Sequence, residues 1–147
     1  MSQCLNTFLP NRIIVLLHLL LIPSYMSSQN EDVLDSLQNL IRKEVTEGTN
    51  TFLPVALAYD SIAMLSGDTL KMGKGKNFIG MYHYYNGNHR QAINYYLEAL
   101  PYFTAILDTY YIAMMHNNIG AAYEYRKEPE NSITYYQSAL RYFTMLQ

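Results

Sequence analysis

The sequence predicts an all-α protein built as a solenoid of antiparallel helix pairs, and three observations predict it. The C-terminal half repeats itself at a constant offset, Asp68 falling on Asp108 and every later residue following without a gap. Each copy carries two apolar stripes at helical spacing, parted by a glycine or proline turn. Tyrosine is crowded: of 15, all but Tyr25 and Tyr59 lie between Tyr82 and Tyr142, as one kind of unit filling that half requires. With 147 residues, half of them hydrophobic, the chain is long enough for one ordinary domain and too apolar for general disorder.

The first element is the N-terminal segment, 1–28. Arg12 supplies one positive charge and Ile13–Ile22 reads IIVLLHLLLI, a run of ten apolar-dominated residues. That order fits the h-region of a secretory signal peptide. A bilayer span needs about 20 apolar residues. Pro23 breaks the run, and Ser24, Ser27 and Ser28 precede polar Gln29 and Asn30, so cleavage is expected near Ser28. The alternative is an uncleaved N-terminal anchor. The sole cysteine, Cys4, precedes the run, so neither a disulfide framework nor a cysteine zinc site is available.

Next comes a helical hairpin over 30–66. Asn30 is placed to cap a helix whose Val33, Leu34, Leu37, Leu40, Ile41 and Val45 form one stripe. Gly48-Thr49-Asn50-Thr51 reads as a turn, and Pro54 suits the first turn of a second helix reaching about Ser66.

The two repeat copies follow, 67–106 and 107–147. Thr69 meets Thr109, Asn77 meets Asn117, and Ile79-Gly80 meets Ile119-Gly120. Ile93 then meets Ile133, Tyr95-Tyr96 meets Tyr135-Tyr136, and Tyr102-Phe103-Thr104 meets Tyr142-Phe143-Thr144. In the second copy one helix runs roughly 109–126 and ends at Lys127-Glu128-Pro129. The next carries Ile133, Tyr136, Leu140, Phe143 and Leu146 on one face. In the first copy the turn is Asn86-Gly87-Asn88, where Gly87 suits a left-handed helix end.

These residues resemble the tetratricopeptide repeat family. Ile119-Gly120-x-x-Tyr123 followed by Ser132, Tyr136 and Ala139-Leu140 looks like its signature, and Ile79-Gly80-x-x-His83 with Ala92, Tyr96 and Ala99-Leu100 is similar. His83 departs from the usual tyrosine and Ser132 from the first small alanine. The family unit is 34 residues, and six extra residues per unit resemble the extended repeats of bacterial signalling proteins. The resemblance implies a right-handed superhelix, with 30–66 as a degenerate capping repeat.

Chemistry of an enzymatic kind is not expected. There is no nucleophile elbow, and Gly73-Lys74-Gly75-Lys76 lacks the preceding strand of a phosphate loop and falls inside the first helix of its repeat, so it reads as a solvated first helical turn. The histidines are unpaired at metal-ligand spacing; His83 and His116 read as packing residues and His89 as a solvated turn residue. No cofactor and no metal follow. A net charge of −2, from 12 acidic and 10 basic side chains, excludes a nucleic-acid partner.

The resemblance does imply a concave groove that holds a protein or an extended peptide. Amides suit a peptide backbone because they both donate and accept hydrogen bonds, which points to Asn77, Asn117 and Asn118. Tyr84, Tyr85 and Tyr125 would add aromatic contact, with Met81, Met114, Lys74 and Glu124 completing the groove. The reading is an exported, periplasmic or secreted binding scaffold, touching membrane only through an uncleaved N-terminal segment. The alternative is the sensory portion, truncated at Gln147, of a signal-transduction protein such as a histidine kinase or transcription regulator. If the chain is whole, the uncapped face of Phe143 and Leu146 is expected to support a homodimer.

Overall fold

The computed structural model describes residues 29–146, so the N-terminal apolar run and its expected cleavage region lie outside the described residues. Helix α1 covers 29–47 and stops at Gly48, whose φ of 69° is open to glycine at little steric cost. Helix α2, Leu53–Ser66, carries Pro54 in its first turn, where a missing amide hydrogen costs nothing. Helices α3 (Thr69–Tyr85), α4 (His89–Ala105), α5 (Thr109–Tyr125) and α6 (Pro129–Thr144) complete the chain, and no strand occurs among the described residues.

The repeat is physical as well as textual. Asp68 and Asp108 each cap a helix, their side chains accepting from the Lys71 and Tyr111 amides at 3.1 and 3.0 Å. The helix ends repeat too. Asn88 N–H donates to His83 C=O and Gly87 N–H to Tyr84 C=O, and the same pair of bonds closes α5 through Glu128 and Lys127. That is the Schellman arrangement, which needs one residue in the left-handed region. Gly87 meets the need in the first copy (φ 76°) and Lys127 in the second (φ 61°).

From α2 to α6 each helix packs against the next, and α1 packs on α2, giving an all-α solenoid whose core runs along the stack. At one end Leu34 of α1 meets Tyr59 and Ala63 of α2, and Ile41 meets Phe52, Ala56 and Ile79. Further along, Ile93, Tyr96 and Phe103 of α4 pack with Ile112, Met115 and Ile119 of α5. Burying each such side chain contributes about 1.5–3 kcal/mol. The stripe foreseen for α1 is narrower than expected: Val33 and Leu40 remain exposed.

Two local expectations are corrected. Asn30 is not a cap, because 29 and 30 are already helical. Gly73-Lys74-Gly75-Lys76 lies inside a helix as expected, but it is not solvated, because both glycines are buried in α3. A Cβ on Gly73 would meet Phe103 at 2.8 Å, and one on Gly75 would meet the Asp60 backbone at 2.8 Å. These glycines let α3 approach α4 on one side and α2 on the other. Lys76 then crosses to Asp60 of α2 at 2.9 Å, a pair largely withdrawn from water.

Candidate functional site

A groove runs along α3, between α1 and α5. Its first half, of about 270 Å³, is lined by Gln38, Arg42 and Val45 of α1, Lys74, Asn77, Phe78 and Met81 of α3, and Tyr110, Tyr111 and Met114 of α5, among others. Its second half, of about 290 Å³, shares Asn77, Met81 and Met114 and continues past Tyr84, Tyr85, Tyr96, Asn117, Asn118 and Ala121. The three shared residues make the two halves one trough. The helical spacing of Lys74, Asn77, Met81, Tyr84 and Tyr85 puts them on one side of α3.

At the centre lies Asn77, 4% exposed. Its amide nitrogen reaches only the Met81 sulfur at 3.6 Å, and its oxygen accepts from Asn118 at 3.5 Å. The thioether is a weak acceptor and the amide–amide contact is long, so the amide keeps capacity for a peptide bond. Among the described residues Arg42 and Lys74 are the only charged ones that line the groove, and neither has an ion-pair partner there. Lys74 instead lies over the Tyr111 ring, 5.6 Å from its centre, a cation–π contact. Among the described residues no carboxylate lines the trough.

The far end is aromatic. Tyr84 meets Tyr85, His89 and Tyr125 edge-on at 5.5–5.6 Å, and His89 stacks on Tyr125 at 4.9 Å. Burial and then the neighbouring Tyr125 push the Tyr84 hydroxyl up to about 12. Burial likewise holds the Tyr96 hydroxyl far above its ordinary range. These phenols stay neutral donors at any physiological pH. His89 is thus a packed member of this cluster and not a solvated turn residue.

Of the ten residues expected from sequence, Lys74, Asn77, Met81, Tyr84, Tyr85, Met114, Asn117 and Asn118 line the trough. Tyr125 stands at its edge through Tyr84. Glu124 does not join them. It accepts from the Tyr136 hydroxyl at 2.8 Å and lines a separate recess with Pro129 and Ile133.

Sequence reasoning missed the α1 wall and Tyr110 with Tyr111. The signal for α1 was the row Gln38, Arg42, Val45, at i, i+4 and i+7, one face round from the buried stripe. Among the described residues no group of His, Cys, Asp or Glu side chains is placed to hold a metal ion.

Residues 73–145 match the tetratricopeptide repeat family. The chain is a tetratricopeptide-repeat protein. No curated protein and no solved structure matches it significantly. Tetratricopeptide repeats act as protein-interaction scaffolds. The repeat's own pseudo-symmetry is visible beside the trough: His83 stacks on Tyr95 at 5.4 Å where, one repeat on, Tyr123 stacks on Tyr135 at 5.5 Å. Histidine therefore fills the family's tyrosine slot as a flat packing ring.

Proposed function

We propose that this tetratricopeptide-repeat protein is a non-enzymatic scaffold that holds an extended, acidic peptide segment of a partner protein in the trough along α3. One observation carries the reading: a continuous trough whose only charges, among the described residues, are two unpaired cations, with an under-bonded amide at its centre. Arg42 and Lys74 would attract carboxylates, Asn77 and Asn117 would meet the peptide backbone, and the tyrosines would cover a side chain at the far end. Export, by way of the N-terminal apolar run, is part of the proposal.

The test is a displayed library of extended peptides selected on the chain. Acidic sequences are expected to be enriched, and Lys74→Ala with Asn117→Ala to weaken their binding while the helical circular-dichroism signal stays unchanged. Equal affinity in a calorimetric titration of that double variant would overturn the assignment.

The 40-residue period, seen in the starts of α3 at Thr69 and α5 at Thr109, supports a second reading. In it the trough is the sensory portion of a larger signalling protein. Sequencing the frame past the codon for Gln147 separates the two: a downstream catalytic domain selects the second.

A further inference from the structure

We propose, resting on the peptide reading above, that the second half of the trough takes one aromatic side chain of the bound segment. Ala121 sets the size of that pocket, and the aromatic residue stands three positions from the acidic one held by Arg42 and Lys74. The two halves of the trough differ in chemistry. Arg42 and Lys74 line the first, whereas among the described residues no charged side chain lines the second. The second is built instead from sulfur and ring: Met81 and Met114 with Tyr84, Tyr85 and Tyr96. It suits a neutral occupant.

The repeat shows how the pocket arises. Ala121 is the counterpart of Met81, 40 residues on, so α5 carries a methyl group where α3 carries a thioether chain. Both line this half of the trough, and the shorter one leaves open a space of about 290 Å³. Its floor is Tyr96, only 2% exposed and seated against Gly80, where a Cβ would come within 2.6 Å of the ring. A ring so enclosed keeps one rotamer, which fixes the depth of the pocket. The walls favour an aromatic occupant over an aliphatic one. A thioether gains from a ring about 5 Å away, and tyrosines accept further rings edge-on. Tyr84 already meets Tyr85 and Tyr125 in that way, each at 5.6 Å.

The spacing follows from the helix. The pocket's lining on α3 runs from Asn77 to Tyr85 and is centred on Met81, seven residues beyond Lys74. Seven residues of α-helix rise about 10.5 Å. A chain in the polyproline II conformation advances about 3.1 Å per residue and returns a side chain to the same side after three, a step of about 9 Å. A β-strand would turn the third residue away from the trough. In the polyproline II form the peptide's own amide groups are unpaired, and the Asn77, Asn117 and Asn118 amides line the stretch where they would pass.

The probes are proline- and alanine-based peptides, acetylated and amidated at their ends, carrying one Asp and one Phe in either order. They are titrated into the full chain and followed through its methionine methyl resonances. In one of the two orders, a spacing of three is expected to bind about tenfold tighter than a spacing of one or five, and about tenfold tighter than the same peptide with Ala in place of Phe. Leu in that place binds more weakly than Phe. Ala121→Met, which sets the Met81 side chain on the opposite wall, weakens the Phe peptide about tenfold, so that Phe and Ala peptides bind alike. Helix content is kept, because methionine is a good helix former and Ala121 is only partly buried. Equal binding of Phe and Leu peptides overturns the aromatic pocket, as does a Phe preference indifferent to spacing or to Ala121→Met. In those cases a loss on Asp→Asn in the peptide still upholds the acidic-peptide scaffold. Binding indifferent to Asp→Asn, or no binding by any of the peptides, overturns the scaffold reading and the pocket with it.

Discussion

Gly80 lies flat against the ring of Tyr96: a Cβ built on Gly80 would come within 2.6 Å of Tyr96 Cε1. One repeat later Gly120 meets Tyr136 Cδ1 at 2.9 Å. The paired helices of each hairpin therefore close to a separation that admits an aromatic ring only where the facing residue has no side chain.

The two sites differ in how far the ring can yield. Tyr96 is fully enclosed, whereas Tyr136 sits at the open outer face with its hydroxyl on Glu124. Gly→Ala in a helix gains about 1 kcal/mol of propensity, and overpacking costs about 1–3 kcal/mol. Gly80→Ala is expected to lose about 1–2 kcal/mol net in urea denaturation, and Gly120→Ala to be nearly neutral. Equal losses at the two sites would contradict the enclosure argument.

The helix ends yield an opposite, stabilising change. Gly67 and Gly87 hold left-handed backbone (φ 69° and 76°), and their repeat counterparts Leu107 (φ 55°) and Lys127 (φ 61°) hold it with a Cβ. That conformation costs a branched or long side chain about 1–2 kcal/mol, partly offset by the chain entropy glycine would lose. Leu107→Gly should therefore raise the unfolding free energy by up to about 1 kcal/mol, with Leu107 exposed and no packing lost. A lower urea midpoint for Leu107→Gly would refute this.

The repeat was legible because caps, small contact residues and turns recur as letters. Asp68 with Asp108 and Gly80 with Gly120 announce their roles by position alone. The trough was legible on α3 and α5 for the same reason, since the resemblance assigned those helix faces. Its α1 wall was not, because Arg42 and Gln38 lie in a hairpin that has diverged from the repeat, and an exposed polar row looks like solvated surface. The glycines of Gly73-Lys74-Gly75 were misread for a related reason. A close approach of α3 to Asp60 and Phe103 is a tertiary fact that no local spacing encodes. His89 followed suit: its stacking on Tyr125 joins the start of α4 to the end of α5, residues that no local spacing relates.

Charge in the trough makes a salt-dependent prediction. Arg42 and Lys74 are partly exposed, so each should contribute about 0.2–1 kcal/mol to holding an acidic peptide, a loss of roughly 1.5- to fivefold on Arg42→Ala or Lys74→Ala. Raising salt from about 0.05 M to 0.5 M should weaken the wild type and leave the Arg42→Ala, Lys74→Ala double variant nearly unaffected. A salt slope that survives in the double variant would place the electrostatic contact elsewhere.

The remaining prediction concerns pH. His83 is half-buried against Tyr95 and has its protonation pushed to lower pH by that burial. His116 stacks on Tyr142, and burial, with Arg141 adding to it, shifts it the same way. Nδ1 of each ring is buried with no hydrogen-bond partner, so no acceptor offsets a charge there. In the unfolded chain both take a proton near pH 6.5. The unfolded state then binds more protons than the folded one, so stability must fall as pH drops below about 6.5. The loss continues until pH reaches the depressed folded values, where both states are protonated. Urea midpoints between about pH 7.5 and 5.5, a window above the carboxylate range, should show this decline. His83→Tyr, which installs the ring found at Tyr123, together with His116→Phe, should flatten the curve. An equal decline in that double variant would mean that other groups carry the acid sensitivity.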